Sequence, residues 1–216
     1  MRFKKLILLT NQLQATQAFY SGLLGLPLVE QTCEQVSFQV GASVLTFQAV
    51  VGPHHYHFAF SIPCNQIEEA QVWMAERLDL IPIQDSRTII RFEDWRASSI
   101  YFYDNNRNIV ELIARTDLEN PSSEAFSSQS ILFINEIGIG TRDPLGVFQT
   151  IEEMVGFPAY SKGPFREDFI AQGFEDCLFV VSRSSRSWYP TDDAVAIHPV
   201  EVVLETDSET FCLSIN

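Results

Sequence analysis

Apolar positions along the chain alternate between two spacings, one typical of strands and one typical of helices. Leu6–Thr10 is a short apolar run, and apolar side chains then recur near helical spacing over residues 13–23, ahead of Gly25. Three β-rich runs follow within residues 28–50, with Gly41 supplying the turn between the last two. The pattern therefore predicts a strand, a helix and three strands in this order.

The same order of elements recurs twice more. His57–Ile62 alternates as a strand does, and a helical pattern follows from Asn65 to Leu78. The remaining predicted elements are strands at Ile81–Gln84, Thr88–Trp95, Ser98–Tyr103, Ile109–Ala114 and Ile131–Thr141, a helix at Pro144–Val155, and strands at Phe169–Phe174, Cys177–Arg183 and Val200–Glu205. Because the spacing of the repeat is uneven, discrete βαβββ modules are favoured over a solenoid, with a generic α+β domain as the alternative.

One polar, Ser-rich stretch, residues 117–130, predicts how the chain is divided. We expect residues 1–116 to form two paired modules (1–52 and 53–116), followed by this linker and a third, degenerate module at 131–216. A curved sheet with an exposed apolar face is unfavourable in water. The third module is therefore expected to pack on the first pair or to self-associate as a homodimer.

Composition narrows the class of protein. The chain has 216 residues, is 46% hydrophobic and contains 17 Phe, which argues against disorder. A formal net charge of −14 with scattered Lys and Arg argues against nucleic acid and anionic membranes. No apolar run is long enough to span a bilayer, and the four cysteines form no CxxC pair. We therefore expect a cytoplasmic protein with a small-molecule ligand.

Two stretches sharpen the fold prediction. Leu13–Leu26 reads LQATQAFYSGLLGL, and Tyr101–Leu112 reads YFYDNNRNIVEL. Both resemble motifs of the vicinal oxygen chelate superfamily, which contains glyoxalase I, bleomycin-resistance proteins and extradiol ring-cleaving dioxygenases. The second stretch resembles the final hairpin of the family, with Asp104, Asn106, Asn108, Glu111 and Leu112 in register. The resemblance implies cupped mixed β-sheets with flanking helices, the glyoxalase-like α+β fold.

His57 and Glu111 are the best candidates for a functional pair. Glu111 lies inside an apolar run, where a carboxylate needs a cation, a metal or hydrogen-bond donors, unless its side of the strand faces solvent. The resemblance places both residues where the family contributes metal ligands. An imidazole and a carboxylate suit Fe(II), Mn(II), Ni(II) or Zn(II). These two residues are therefore predicted as metal ligands and as the catalytic pair.

The resemblance leaves the third ligand open. It puts Lys5 in the place of the first ligand, and Thr46 and Gln48 in the matching place on the last strand of the first module. A protonated lysine cannot ligate a metal, but it can pair with Glu111 instead. Two other sources of a ligand are the loop histidines His54 and His55 and the third-module carboxylates Glu136 and Glu201. For these two carboxylates an acidic surface is the favoured interpretation.

The predicted function follows from this site. The leading prediction is a glyoxalase/bleomycin-resistance/dioxygenase-like protein, of the lyase or ring-cleaving dioxygenase type, acting on a small oxygenated or aromatic molecule in a sheet-lined cleft with a divalent metal. The alternative is a metal-free protein that binds or sequesters a small molecule, with Lys5 paired to Glu111. A module retained only for assembly is a third alternative. No nucleophile elbow, phosphate loop or dinucleotide motif is present in the sequence.

Overall fold

The computed structural model describes residues 1–83, 86–206 and 209–215. The strands are β1 (Arg2–Thr10), β2 (Leu28–Gln31), β3 (Gln35–Val40), β4 (Ser43–Ala49), β5 (His57–Ile62), β6 (Ile90–Phe92), β7 (Ala97–Tyr103), β8 (Ile109–Arg115), β9 (Phe133–Thr141), β10 (Phe165–Arg166), β11 (Phe169–Phe174), β12 (Cys177–Arg183), β13 (Val200–Glu205) and β14 (Thr210–Ile215). The helices are α1 (Leu13–Gln17), α2 (Ile67–Ala75) and α3 (Pro144–Val155). Within these residues no helix combines the length and the apolar character needed to cross a membrane.

Two mixed sheets organise the chain. The first has six strands in the order β14-β13-β1-β4-β3-β2, and the second has eight in the order β10-β11-β12-β9-β5-β8-β7-β6. In each of the three repeats the first strand pairs in parallel with the last, as β1 does with β4, β5 with β8 and β9 with β12. The predicted α+β class and its βαβββ repeat are confirmed.

The pairing of the repeats differs from the prediction. The second repeat does not share a sheet with the first, because β5 pairs antiparallel with β9 of the third repeat and makes one continuous sheet. Strand β13, predicted as the last strand of the third module, instead pairs with β1. Strand β10 takes part in the third repeat in its place. Partner choice between distant strands depends on tertiary packing, which local periodicity does not encode.

Several local elements also differ from their predicted bounds. The first helix continues from α1 into a π-helical turn over Ala18–Leu23. Residues Ile81 and Ile83 form no strand, although Leu80 makes an isolated bridge to Phe102, and the predicted end of that strand at Gln84 lies outside the described residues. The segment predicted as a linker carries short 3-10 turns at Thr116–Leu118 and Ser128–Ser130.

That segment is held against the beginning of α2. The backbone N–H of Ser122 donates to the Asn65 side chain at 2.9 Å, and Gln66 Nε2 donates to the Glu124 carbonyl at 2.6 Å. Asn65 therefore anchors the linker rather than capping the helix, whose N-cap position is Gln66. The side chain of Phe126 is also buried in the main core.

Side chains of β5 point alternately to the two faces of the eight-stranded sheet. Phe58, Phe60 and Ile62 belong to the large apolar cluster that the helices and both sheets share. Successive side chains of a strand point to opposite faces, so His57 and Ala59 face the other side of the eight-stranded sheet. The concave side of that sheet therefore receives the polar residues of β5 while its other side is packed.

Candidate metal centre

Strand pairing brings three ionisable side chains together at the centre of the eight-stranded sheet. Ala59 lies opposite Glu111 of β8 on one side and opposite Glu136 of β9 on the other. His57 precedes Ala59 by two residues and therefore shares its face. Because the side chain of Ala59 is a single methyl group, it leaves open the space between the two carboxylates and the imidazole.

The geometry of this triad is that of a coordination site. One potential ligand atom from each of His57, Glu111 and Glu136 lies within 4.8 Å of the others. His57 Nε2 is 3.6 Å from Glu111 Oε2. The three residues are only 3–5% exposed. Three buried ionisable groups facing one another are costly unless a cation or hydrogen bonds compensate them.

The tautomer of His57 is set by a backbone contact. Its Nδ1 is 3.1 Å from the carbonyl oxygen of Ile109, which can only accept, so Nδ1 carries the proton and donates. The lone pair is then on Nε2, which faces Glu111. Burial, the largest influence, lowers the pKa of His57 and favours the neutral imidazole. A hydrogen bond to one ring nitrogen that directs the other inward is the usual arrangement of a ligating histidine.

Glu111 lies in an environment that disfavours its charge. Burial raises its pKa to about 7, against smaller lowering effects from the hydroxyls of Ser99 and Tyr101 and from Arg115. Tyr101 is the cross-strand neighbour of Glu111 on β7, and burial raises the pKa of its own hydroxyl. Tyr101 thus remains a proton donor beside the carboxylate.

Glu136 is paired with a fully buried cation. Arg115 Nη2 donates to Glu136 Oε1, Nε donates to Asn135 Oδ1 at 2.9 Å, and Nη1 donates to the Tyr160 hydroxyl at 3.3 Å. Burial raises the pKa of Glu136 to about 7; Arg115 lowers it and the Glu111 charge raises it. The guanidinium therefore neutralises one carboxylate of the triad and leaves the other in need of a cation.

The donor set fits a divalent transition-metal ion. Two carboxylates and a neutral imidazole are ligands that Mn(II), Fe(II), Ni(II) and Zn(II) accept. Strand pairing also defines a fourth position beside the three ligands. Gly138 follows Glu136 by two residues and lies opposite Val180 of β12, in the same way as Ala59 lies opposite Glu111. Val180 has no ligand atom, so three protein ligands would leave coordination positions for a bound molecule.

The triad forms the floor of a cleft of about 570 Å³. Six Phe, Tyr and Trp side chains line this cleft, and the ring of Trp188 lies 5.2 Å from that of His57. Gly138 is required below this tryptophan, since a Cβ there would be 2.7 Å from the Trp188 ring. A pocket of this size that combines aromatic and charged side chains suits a small organic ligand with polar groups.

The structure brings together some of the predicted site residues and separates others. His57 and Glu111 converge in the cleft, and Glu136, for which an acidic surface was favoured, is buried beside them. The predictions that do not match are those for Lys5, Thr46 and Gln48, which lie on β1 and β4 of the six-stranded sheet and are absent from the lining of this cleft. The cation whose charge acts on Glu111 is Arg115, which is already paired with Glu136, and not Lys5.

The remaining alternatives for a third ligand lie elsewhere. The ring of His55 contacts the carbonyl of Asn106 at 2.9 Å, and the ring of His54 packs on that of His198 with centroids 4.6 Å apart. Glu201 is exposed on β13, as the surface interpretation expects. Sequence reasoning missed Arg115 and Tyr101. The available signal for Arg115 was a charged residue in strand alternation with Glu111, four positions away.

Comparison with known proteins finds similarity at the level of structure. A protein from Bacillus subtilis subsp. subtilis str. 168 described as a "putative dioxygenase" is 15% identical with a TM-score of 0.62, over 84% of this chain and 63% of that one. Lactoylglutathione lyase from Agrobacterium tumefaciens is 21% identical with a TM-score of 0.42, over 51% and 90%. The fosfomycin resistance protein FosX from Listeria monocytogenes, complexed with Mn(II) and sulfate, is 20% identical with a TM-score of 0.40, over 52% and 87%.

The likeness to the Bacillus protein confirms the glyoxalase-like fold. This chain spans 63% of the length of that protein. No protein-family model matches the sequence, and no curated protein is detectably similar to it. At 15% identity the shared feature is the fold, and fold alone does not fix the chemistry of a site.

Proposed function

We propose that this chain is a metal-dependent enzyme that binds a divalent transition-metal ion through His57, Glu111 and Glu136 and acts on a small oxygenated or aromatic molecule in the cleft. The observation that carries the proposal is the convergence of three potential ligand atoms within 4.8 Å in a buried, aromatic-walled cleft. Two carboxylates with raised pKa values side by side need a cation to become ionised together.

When bound, the ion acts as a Lewis acid toward substrate oxygens, which is the chemistry that the lyase and ring-cleaving dioxygenase types share. The chain itself supplies the surroundings. Ile109 keeps His57 Nε2 unprotonated, and Arg115 holds Glu136 in a fixed orientation. Tyr101, whose raised pKa keeps it protonated, is the group placed to donate a hydrogen bond or a proton beside Glu111. Trp188 packs against His57 in the same cleft, with ring centroids 5.2 Å apart.

Metal content and metal affinity test this proposal. The purified protein is dialysed against Fe(II), Mn(II), Ni(II) or Zn(II), and bound metal is quantified by mass spectrometry and isothermal titration. We expect one ion per chain in the native protein. His57→Ala, Glu111→Gln and Glu136→Gln should each weaken binding at least tenfold, since each loses one of three protein ligands.

Glu201→Gln is the matched control, since it removes an exposed carboxylate from the equivalent place in the other sheet and should leave metal binding unchanged. A native protein that binds none of the four ions, and whose melting temperature ignores both the ions and EDTA, would overturn the proposal. In that case the cleft would belong to a metal-free binding protein.

A further inference from the structure

The lining of the cleft carries groups of both charges. It contains Glu111 and Glu136 of the triad, one further carboxylate, Asp94, and the basic residues Lys162, Arg166 and Arg186. This is a notable placement in a chain with 28 acidic and only 14 basic residues. Lys162 is held by two carboxylates, with its Nζ 2.5 Å from Asp117 Oδ2 and 2.5 Å from Glu175 Oε1. Of the other two basic residues, only Arg166 makes no ion pair within the described part of the chain.

Arg166 reaches the cleft from the outermost strand of the sheet. On β10 it lies opposite Phe169 of β11, and Ala171, two residues farther on, lies opposite Val180 of β12. Val180 occupies the fourth position beside the triad. Arg166 therefore lies on the same face of the eight-stranded sheet as the triad. Three strand spacings separate β10 from β9, roughly 14 Å along the sheet.

Arg186 lies next to Arg166 but is only partly compensated. Its Nη1 donates to Asp168 Oδ2 at 2.6 Å, and its guanidinium lies 5.3 Å from the centroid of the Phe169 ring. Arg166 makes no ion pair with any residue in the described part of the chain, although its charge also lowers the pKa of Asp168. Two guanidinium groups therefore share the Asp168 carboxylate around Phe169, and Asp94, which also lines the cleft, forms no ion pair with either of them in the described part of the chain.

We infer that this arginine pair binds an anionic group of the ligand, so that the substrate class is a small aromatic or otherwise oxygenated acid. Its chelating oxygens lie at the triad and its carboxylate, phosphonate or sulfate group lies at Arg166 and Arg186. Guanidinium groups suit oxyanions because they donate two parallel hydrogen bonds. Because a long arginine side chain covers part of the separation across the sheet, a ring with a short spacer is enough to join the two ends of the ligand. This inference rests on the proposed metal-dependent function for the position of the chelating end.

A pair of probes that differ only in charge tests the inference. The acid 3-(3,4-dihydroxyphenyl)propanoic acid and its methyl ester share one chelating end, and only the acid is anionic at the other. Binding to the Mn(II)-loaded protein is measured by titration calorimetry and by quenching of tryptophan fluorescence. We expect the acid to bind about tenfold more tightly than the ester, in line with one charge-assisted contact.

Variants locate the preference. Arg166→Ala should abolish the advantage of the acid over the ester and Arg166→Glu should reverse it, because the ester has no charge at that end. Arg183→Ala is the matched control, because Arg183 pairs with exposed Glu167 and is not part of the cleft lining. Raising the salt concentration should weaken the acid more than the ester.

The outcomes separate the two proposals. If acid and ester bind equally to the metal-loaded protein, or if Arg166→Glu leaves their ratio unchanged, the inference is overturned while the metal site stands. If no metal binds, the proposed function fails, and the same comparison on the metal-free protein still decides whether Arg166 selects the acid. Failure of both probes to bind under either condition overturns the inference as well.

Discussion

The two sheets contain the same constellation of positions with different chemistry. In the eight-stranded sheet, Ala59 lies opposite Glu111 and Glu136, and His57 is two residues before it. In the six-stranded sheet, Ile7 takes the place of Ala59. It lies opposite Thr46 of β4 and Glu201 of β13, with Lys5 two residues before it. The triad His57, Glu111 and Glu136 thus corresponds by register to Lys5, Thr46 and Glu201.

The residues at the corresponding positions of the six-stranded sheet do not require a cation. Lys5 has donors but no acceptor, and Thr46 forms a neutral hydrogen bond to Ser37 at 2.8 Å. Glu201 is exposed, so water solvates its charge. In the eight-stranded sheet all three groups are buried, and a fully buried arginine accompanies them. One repeat fold can therefore hold either a buried charged centre or a solvated surface, depending on three side chains.

Arg115→Met should produce the largest effect on stability. It leaves Glu136 buried without its cationic partner, a change that costs about 3–5 kcal/mol in other proteins. The expected result is a lower free energy of unfolding in urea for the metal-free protein. Arg115→Lys keeps a charge but loses the contacts to Asn135 and Tyr160, and should recover part of the loss. Equal stability of Arg115→Met and the native protein would show that Glu136 needs no compensation.

The repeat was predictable because each module is encoded locally. The apolar spacing of residues 13–23 and of Pro144–Val155 predicted helices where helical structure occurs, although the first ends as a π-helical turn. His57 and Glu111 were predicted as a pair, and they meet because β5 and β8 belong to one module and pair in parallel. Local order along the chain was sufficient for these features.

The rest of the site depends on contacts between distant strands. The place of Glu136 in its module was recognised, but an acidic surface was favoured, because nothing local shows that β9 pairs with β5. Arg115 ends an apolar run, where a charged residue normally marks the edge of a strand. Only the folded sheet shows that its side chain turns inward to Glu136. The same non-local pairing placed Lys5 opposite Val203 of β13, in a different sheet from Glu111.

A second difference between the sheets is their response to pH. Glu111 and Glu136 have a pKa of about 7 in the folded protein, raised above 4.5 by burial. The folded state therefore binds more protons than the unfolded state between these values. The resulting stability is fully present below about pH 4.5 and is lost as pH rises through about 7. The loss should be on the order of 3 kcal/mol per carboxyl for the metal-free protein.

Thermal melts in EDTA between pH 5.5 and 8.5 measure this effect. Glu111→Gln should flatten the pH dependence, whereas Glu201→Gln, on the exposed position of the six-stranded sheet, should not. With a saturating divalent metal the sign should reverse, because metal binding displaces protons and strengthens as the carboxyls ionise. If the metal-free native protein, Glu111→Gln and Glu201→Gln all had the same pH dependence, this would contradict the raised pKa of Glu111.

Thr46→Val tests the neutral centre and should have a smaller effect. The change preserves volume but leaves the buried hydroxyl of Ser37 without its partner at 2.8 Å. We expect a loss of about 1 kcal/mol in the free energy of unfolding, the usual value for one neutral hydrogen bond. Metal affinity should not change. A loss of several kcal/mol would show that the hydrogen bond at Thr46 organises the six-stranded sheet as strongly as Arg115 organises the other.

Of the four predicted effects, that of Lys5→Met should be the smallest. Lys5 is partly exposed and lies beside Val203 and Val44 in the register of β1, so its aliphatic stem packs while its ammonium reaches water. Methionine preserves that packing, and the free energy of unfolding should change by less than about 0.5 kcal/mol. Metal affinity at the other sheet and the pH dependence of Glu111 should both remain as in the native protein. A weaker metal site in Lys5→Met would mean that the two sheets are coupled, because no direct contact joins Lys5 to the triad within the described residues.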